Sequence, residues 1–210
     1  MMVLMEDSKG SVEGKAANAS AAAEQTKVSA PKKNVEVTED VEIPQGVSVE
    51  INGEEITVKG PLGVNVRRFN GALLSVSKHD NKIHIAQSNR RNLARKSAFA
   101  VGTLAKELSN DMKGVQNYFE IRMETVFMHF PIILEAKGNT FTIKNIFGER
   151  KPRVARIVGS TKVEVKDKNV RVYGTKLDDV SQTAANIRLA CKVTNKDDRV
   201  FQDGVYYSLE

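Results

Sequence analysis

Two clusters of basic residues carry the clearest chemical signal in this chain. One spans residues 150–156, with the sequence RKPRVAR, and the other spans residues 192–201, with the sequence KVTNKDDRVF. Lysine and arginine neutralise phosphates, asparagine bonds to 2′-hydroxyls, and an aromatic ring stacks on an unpaired base. Either cluster alone is equally compatible with a solvated loop, because charge runs usually face water. Their occurrence in the same half of the chain favours an RNA-binding surface.

A third group of cations includes Arg90 and Arg91, with Arg95 and Lys96 close behind, where a helix is predicted to begin. The N-terminus of a helix is the positive end of its dipole, so cations there are unfavourable for the isolated helix. Their placement hints at an anionic partner. Lys144 lies beside a predicted turn, from which it could also reach a phosphate.

No arrangement of residues predicts catalysis. His79, His84 and His129 lie in a predicted turn, a strand and the junction between two halves, and no spacing brings two together. A metal site needs several ligands at defined spacing, so a structural role is favoured for each histidine. Cys191 falls on an apolar helical stripe, which favours a buried, inert thiol. The chain also lacks glycine-rich phosphate loops and a nucleophile elbow, so we expect no enzyme, metal, cofactor or small-molecule substrate.

The composition is mildly basic and unevenly distributed. Lysine and arginine number 32 against 26 acids, a formal charge of +6. Residues 1–40 hold seven acids and five lysines, so residues 41–210 carry a charge of +8. That surplus favours polyanionic partners, although many proteins without such partners share it. The single cysteine fits a reducing compartment, and we expect no membrane partner because the chain has no long apolar run or secretion signal.

The chain contains an internal duplication. Residues 47–116 are repeated, with drift, at residues 132–206. At an offset of 85, Thr57, Lys59 and Gly63 fall on residues of the same type in the second copy. The offset becomes 87 farther along. The pattern predicts two copies of one small unit.

Each copy is predicted to hold strands followed by one amphipathic helix. In the first copy, alternating apolar residues precede the turn signal at Asn52 and Gly53, which indicates a hairpin. A strand near residues 118–126 is expected to close this unit. The helix between them presents an apolar face made of Leu93, Ser97, Val101, Leu104 and Leu108.

The second copy repeats this order of elements. Asp178 and Asp179 open its helix, where the dipole favours negative charge. The buried stripe of this helix is predicted to be Val180, Ala184, Ile187 and Cys191. The expected fold class is therefore α+β, a tandem duplication of a small antiparallel sheet packed with one amphipathic helix. We expect a flexible extension at residues 1–40, a first repeat at 41–128 and a second at 129–210.

Four segments resemble the universal large-subunit ribosomal protein family numbered six in bacteria and nine in eukaryotes. They are VKGPLG at residues 58–63, HFP at 129–131, QTAANIR at 182–188 and NKDDRVFQDGVY at 195–206. The similarity covers about residues 41–208. The last segment resembles the eukaryotic and archaeal version of the family, and the N-terminal extension, rich in alanine, serine and lysine, favours the eukaryotic one.

The resemblance implies a structural constituent of the large ribosomal subunit without catalytic activity. It implies binding to large-subunit rRNA, chiefly through the second repeat, near the sarcin-ricin loop and the base of the factor-binding stalk, beside neighbouring ribosomal proteins. A cytoplasmic ribosome is expected, with transit through the nucleolus during assembly if the organism is eukaryotic. The expected RNA contacts are Lys144, Arg150, Lys151, Arg153, Arg156, Lys192, Asn195, Lys196 and Arg199, with Arg90 and Arg91 as further candidates.

Two other classes of function stay open from the residues alone. One is a protein-interaction adaptor whose sheets bind partner proteins, while the basic loops only keep it soluble. The other is an RNA-processing enzyme, which requires turnover on an RNA substrate. Retention of RNA by the second repeat favours the ribosomal hypothesis, whereas retention of protein partners after nuclease treatment favours the adaptor.

Overall fold

The computed structural model describes residues 37–87, 94–194, 196, 197 and 199–208, with only the backbone at 94–96. The predictions made for Arg90, Arg91 and Asn195 lie outside the described residues. The first repeat contains, in order, β1 (Thr38–Glu42), β2 (Ser48–Asn52), β3 (Glu55–Gly60), β4 (Gly63–Arg68), β5 (Leu74–His79), β6 (Lys82–Gln87) and α1 (Ala94–Gln116). The chain continues through β7 (Phe119–Val126), β8 (Ile133–Lys137), β9 (Thr140–Lys144), a short 3-10 helix (Ile146–Gly148), β10 (Arg153–Arg156), β11 (Lys162–Lys166), β12 (Asn169–Gly174), α2 (Leu177–Ala190) and β13 (Gly204–Tyr207).

Each repeat builds two small antiparallel sheets around one helix. In the first repeat the strand orders are β2-β3-β4 and β1-β6-β5, and α1 packs mainly on β1, β3 and β6. In the second, the strand orders are β8-β9-β10 and β11-β12-β7-β13, and α2 packs mainly on β7, β10 and β12. The predicted α+β tandem duplication is confirmed, with two sheets per repeat rather than one. Neither described helix is long and apolar enough to cross a membrane.

The hairpin predicted at Asn52 and Gly53 joins β2 to β3. Ile51 pairs with Ile56 across the turn, and Gly53 has φ of 60°. A left-handed backbone at this position suits glycine, because a side chain there would add steric strain. The turn therefore fixes the register in which β2 and β3 face α1.

The strand near residues 118–126 exists, but its predicted place in the first unit is wrong. It is β7, and it pairs with β12 and β13 of the second repeat. The physical reason is that α1 continues to Gln116 and carries the chain away from the first pair of sheets. A cut after residue 128 would therefore remove β7 from the sheet that it stabilises.

The corresponding strand of the first repeat is β1, which overlaps the flexible extension expected at residues 1–40. Residues 38–40 instead pair with β6, so the expectation of flexibility is wrong for these three. The strand is short and mostly charged, and Val41 is its one apolar residue that packs on the core, with Val37 and Ile43 on either side of the strand. That pattern is too weak to reveal a strand without its partner.

Each repeat has its own apolar core. Of the face predicted for α1, the described members Ser97, Val101, Leu104 and Leu108 are all buried, whereas Leu93 lies outside the described residues. Ile56, Val58, Ile83 and Ile85 supply the opposing strands. The stripe predicted for α2 is confirmed, and it packs on Met123, Phe141, Ile143, Val170 and Val172.

A polar junction joins the two repeats. Arg67 of β4 forms ion pairs with Glu107 and Asp111 of α1 and reaches Asp178 of α2, with Nη2 2.8 Å from Oδ2. Burial by itself lowers the pKa of Arg67, but hydrogen bonds to Asp111 and Asp178 outweigh it, so the pKa lies above its ordinary value. Asp178 therefore forms an ion pair with Arg67 of the first repeat and also lies at the positive, N-terminal end of the α2 dipole.

Candidate nucleic-acid interface

A tight turn after β9 places an aromatic ring beside the C-terminal end of α2. Asn145, Phe147 and Gly148 have φ values of 62°, 51° and 73°. A left-handed conformation is unusual for phenylalanine and costs free energy, so it needs support from its surroundings. Burial of Ile146 and Phe147, together with a hydrogen bond from Asn145 Nδ2 to the carbonyl of Pro131, supplies that support.

Arg153 fastens this turn to the end of α2. Its Nε and Nη2 donate to the two carboxylate oxygens of Glu149 at 2.9 and 2.7 Å. Its Nη1 donates to the carbonyls of Ala190 and Lys192 at 3.0 and 2.8 Å. The last carbonyls of a helix lack helical partners, so the guanidinium satisfies groups that would otherwise need water.

The Arg153–Glu149 pair shifts both titrations in the direction that keeps the pair charged. The hydrogen bond to Glu149 raises the pKa of Arg153 above its ordinary value. The same hydrogen bond lowers the pKa of Glu149. The Arg153 side chain is only 20% exposed. In the free protein Arg153 therefore uses its charge to bind Glu149 and the carbonyls at the end of α2, and little of that charge faces solvent.

Two rings and two cations meet next to this clamp, and we name Phe147, Arg153, Lys196 and Phe201 the cation–aromatic cluster. The two rings lie 6.0 Å apart, edge to face. Lys196 Nζ lies 4.6 Å from the centroid of Phe201 and 5.5 Å from that of Phe147. The face of an aromatic ring attracts a cation, so the rings of Phe147 and Phe201 together position the Lys196 ammonium. Phe201 stays 39% exposed, which leaves part of its surface open to a further stacked ring.

The segment that carries Lys196 and Phe201 is ordered by its own hydrogen bonds. The backbone N–H groups of Val200 and Phe201 donate to the carbonyl of Asp197, and the N–H of Arg199 donates to its carboxylate. These bonds close a turn that directs Arg199 and Lys196 to solvent. Lys192 is also exposed, while its carbonyl accepts from Arg153.

Arg150 and Lys151 stand between the Phe147 turn and β10. Both are exposed, and within the described part of the chain neither forms an ion pair. A cation without an internal partner keeps its full charge available to an external anion. The charges of these two residues are therefore available to an external anion.

Arg156 and Lys144 lie on the outer face of the β8-β9-β10 sheet. Arg156 pairs in register with Thr140, and Lys144 follows on the same side of β9. Lys144 Nζ donates to Glu135, a contact that lowers the pKa of this carboxylate. Arg156 is exposed and has no ion pair among the residues that the structure describes. Lys137, which pairs in register with Thr140, lies on the same face and also contacts Glu135, so among the described residues the face carries two paired cations and one without an ion pair.

The structure brings part of the predicted set together. Arg153 contacts the carbonyls of Ala190 and Lys192 at the C-terminal end of α2, and Arg153 and Lys196 both lie over the ring of Phe147. Arg150, Lys151 and Arg199 lie within three residues of these cations in the chain, whereas Lys144 and Arg156 occupy the outer sheet face. The structure adds two features that the sequence pattern does not predict, namely the position of Phe147 and the stack of Arg188 on Tyr206, in which Cζ lies 4.4 Å from the ring centroid. An aromatic residue between an asparagine and a glycine in a basic segment is the signal that could have indicated Phe147.

Cys191 and His84, which could in principle react or bind a metal, have surroundings that indicate a structural role. Cys191 is buried in the second core, and burial raises the pKa of its thiol, which makes the reactive thiolate scarce. His84 Nδ1 lies 2.6 Å from Asp40 Oδ1 across two strands. In the described residues no group of three or more histidine, cysteine, aspartate or glutamate side chains could hold a metal ion.

The duplicated α+β fold and the cation-rich surface beside the partly exposed ring of Phe201 are typical of small proteins that bind polyanions. Comparison with known proteins then gives the particular family. A family model described as Ribosomal protein L6 matches residues 43–117 and, a second time, residues 130–204. The chain belongs to the ribosomal protein L6 family, as the sequence resemblance indicated.

Its relatives match over almost their whole length. The chain is 40% identical over 170 residues to the large ribosomal subunit protein uL6 of Methanobrevibacter smithii, which covers 81% of this chain and 94% of that protein. It is 41% identical over 175 residues to the protein of the same name from Aeropyrum pernix, covering 83% and 94%.

Proposed function

We propose that this protein is a structural constituent of the large ribosomal subunit that binds large-subunit rRNA and supports cytoplasmic translation, without catalytic activity of its own. Membership of the L6 family supports the ribosomal role. The single observation that carries RNA binding is the cation–aromatic cluster, with the exposed Arg150 and Lys151 shortly before Arg153 in the chain. The location that we propose, by family resemblance, is near the sarcin-ricin loop and the base of the factor-binding stalk, among neighbouring ribosomal proteins.

The residues of the second repeat divide by role. We assign phosphate contacts to the exposed cations Arg150, Lys151, Lys192, Lys196 and Arg199, and stacking on an unpaired base to Phe201. Arg153 is a positioning residue, because its donors are engaged by Glu149 and two carbonyls. Lys144 and Arg156 extend the surface across the outer sheet face. Asn195, Arg90 and Arg91 stay candidates.

The binding is expected to stabilise both partners. Each repeat has a core of only about a dozen buried apolar side chains, so either one alone is a small folding unit. A ligand that binds only the folded protein adds to the free energy of unfolding. The RNA in turn gains cations that neutralise closely spaced phosphates.

A cell fractionation tests the ribosomal role. Lysate containing the tagged full-length protein is run through a sucrose gradient, with and without a moderate-salt wash. We expect the protein to travel with the large subunit and to resist the wash. Should it stay at the top of the gradient, the ribosomal role is wrong, and the adaptor hypothesis becomes the one to pursue.

A matched pair of double variants tests the RNA-binding surface. Arg150→Gln with Lys151→Gln removes two charges beside the cation–aromatic cluster, while Lys162→Gln with Lys166→Gln removes two exposed charges from β11, at the far edge of the sheet from β13. Binding to purified large-subunit rRNA is measured against salt concentration. We expect the first pair to lower the magnitude of the salt slope by roughly 1.4 to 1.8, because each phosphate contact contributes about 0.7 to 0.9.

The β11 variant is expected to leave that slope unchanged. An equal effect of both double variants would mean that only net charge matters, and no effect of the first would remove Arg150 and Lys151 from the interface. Phe201→Leu keeps an apolar side chain but removes the ring. We expect it to weaken RNA binding with little change in salt slope.

A further inference from the structure

The two repeats contain the same strand pairing, β1 with β6 in a three-stranded sheet of the first repeat and β7 with β12 in the four-stranded sheet of the second. On β6, Lys82 pairs with Glu42 and His84 with Asp40 of β1. On β12, Asn169 pairs with Glu124 and Arg171 with Arg122 of β7. The hydrogen bond at the end of each pairing is repeated as well. In the first repeat the N–H of Ile43 donates to the carbonyl of Asn81, and in the second the N–H of Thr125 donates to the carbonyl of Lys168. β1 and β7 are therefore equivalent strands.

Their outer edges differ. The outer edge of β7 is covered by β13, where Tyr206 pairs with Glu124 and the N–H of Ser208 donates to the carbonyl of Arg122 at 3.0 Å. Among the strands that the structure describes, only β6 pairs with β1. The cause lies in the helices, because α1 has 23 residues where α2 has 14. The longer helix delivers the chain to β7, so it does not return to cover β1.

The backbone groups that β1 turns outward follow from its pairing. The N–H of Ile43 and the carbonyl of Val37 are both bonded to the β6 side. Residues alternate in direction along an antiparallel strand, so Thr38, Asp40 and Glu42 direct their N–H and carbonyl groups away from β6. Such a row is a template on which another extended chain can add.

The charge at this edge selects the partner. Glu39, Asp40 and Glu42 are all exposed, and β1 contains no lysine or arginine. Asp40 and Glu42 each face a side chain of β6, namely His84 and Lys82. An acidic edge repels nucleic acid phosphates and also a second copy of itself. It attracts an extended chain that carries cations.

We propose that the outer edge of β1 binds an extended, lysine-bearing or arginine-bearing segment of a neighbouring protein by strand addition, in the position that β13 takes on β7. Side chains alternate between the two faces of a sheet, so the register predicts which residues of the incoming strand face solvent and which face α1. Residues opposite Asp40 and Glu42 project toward solvent and favour cations, whereas those opposite Val41 project toward α1 and favour apolar side chains. The proposed RNA-binding residues take no part in this contact.

The test uses the full chain, isotopically labelled for NMR, and a defined probe. The probe is the acetylated, amidated peptide Lys-Val-Lys-Val-Lys-Val, and two controls are its fully N-methylated form and the corresponding Glu-Val peptide. We expect millimolar probe to slow hydrogen exchange at the amides of Asp40 and Glu42 by about tenfold or more, because strand pairing protects amides. Both controls are expected to leave this exchange unchanged.

A pair of variants separates backbone pairing from charge. Glu42→Pro and Glu42→Ala remove the same carboxylate, but only the proline also removes the outward N–H, a change that an edge strand tolerates. Unchanged exchange at Ile83 and Ile85 of β6 checks that the sheet remains folded. We expect the proline variant to bind the probe about tenfold more weakly than the alanine variant.

Several results would overturn the proposal. Equal binding by the two variants, or binding of the N-methylated peptide, would show a charge effect alone. Absence of protection at millimolar probe would show that the edge does not accept a strand. If the amides of Asp40 and Glu42 are already protected from exchange without the probe, another segment of the same chain covers the edge. If that protection rises with protein concentration, a second copy of the chain covers it. No RNA is present, so either proposal can fail while the other stands.

Discussion

Asn65 and Thr175 belong to different repeats and exchange two hydrogen bonds. Asn65 Nδ2 donates to the carbonyl of Thr175 at 3.1 Å, and Thr175 Oγ1 donates to Asn65 Oδ1 at 3.0 Å. Both side chains are buried, so neither can replace its partner with water. The pair therefore fixes one orientation of the second repeat against the first, and with it the direction in which the cation–aromatic cluster faces.

Truncating this pair is expected to destabilise the whole chain. Asn65→Ala and Thr175→Val each leave a buried polar group without its partner, which costs about 1–3 kcal/mol. The double variant should cost less than the sum of the single variants, because the two residues share one interaction. The free energy of unfolding in urea, measured for all four proteins, gives the coupling directly. Strict additivity would show that the pair contributes no mutual stabilisation.

Gly114 of α1 is expected to tolerate no side chain. A Cβ at this position would lie 1.8 Å from the carbonyl oxygen of Thr175, and backbone cannot move aside as a side chain can. Gly114→Ala should lower the free energy of unfolding by about 3 kcal/mol or more. Gly102→Ala is the matched control on the same helix, because its Cβ would meet Glu39 only at an ordinary 3.5 Å. Alanine there should stabilise by about 0.5–1 kcal/mol.

Removing the Arg153 clamp should loosen the surface around the cation–aromatic cluster. Arg153→Met deletes four hydrogen bonds and leaves Glu149 and the carbonyls at the end of α2 without their donor, at a cost of about 2–3 kcal/mol. Arg156→Met, three residues along the same strand, removes an exposed cation and should change stability by less than about 0.5 kcal/mol. Equal costs in urea unfolding would contradict the assigned roles.

The same clamp predicts a pH dependence. The pKa of Glu149 is lower in the folded chain than the ordinary value of about 4.3, so folding favours the charged carboxylate. Its contribution is complete above that value and is lost as the pH falls through the folded pKa. The difference in unfolding free energy between the wild-type protein and Arg153→Met should therefore shrink between pH 6 and pH 3. A difference that stays constant would remove Glu149 as the partner that matters.

Cys191 is expected to react slowly with thiol reagents. Burial against the second core raises its pKa and blocks access, so little thiolate meets the reagent at pH 8. A disulfide reagent such as DTNB should label the unfolded chain at least about 100-fold faster than the native one. Ser181→Cys introduces an exposed thiol on the same helix and should react rapidly in the folded protein. Fast labelling of Cys191 would indicate local opening of the helix end.

Local pattern was enough to predict much of the fold, and it failed where partners are distant in sequence. The buried stripe of α2 follows directly from its 3.6-residue period. Arg153 and Arg156 were both expected to contact RNA, yet three residues along a strand place them on opposite faces. Recognising residues 153–156 as a strand would have separated them. Nothing local in β7 or Arg67 indicates a partner in the other repeat, because such pairing depends on how far α1 carries the chain.

Helix α1 also has a mechanical consequence. One of its glycines, Gly102, lies beside Glu39 of β1, while another, Gly114, lies against the backbone at Thr175. These twelve residues span roughly 18 Å at the helical rise. A pull on β1 is therefore carried along the stiff helix α1 to the residues just before α2, which links the edge strand of the first repeat mechanically to the second repeat.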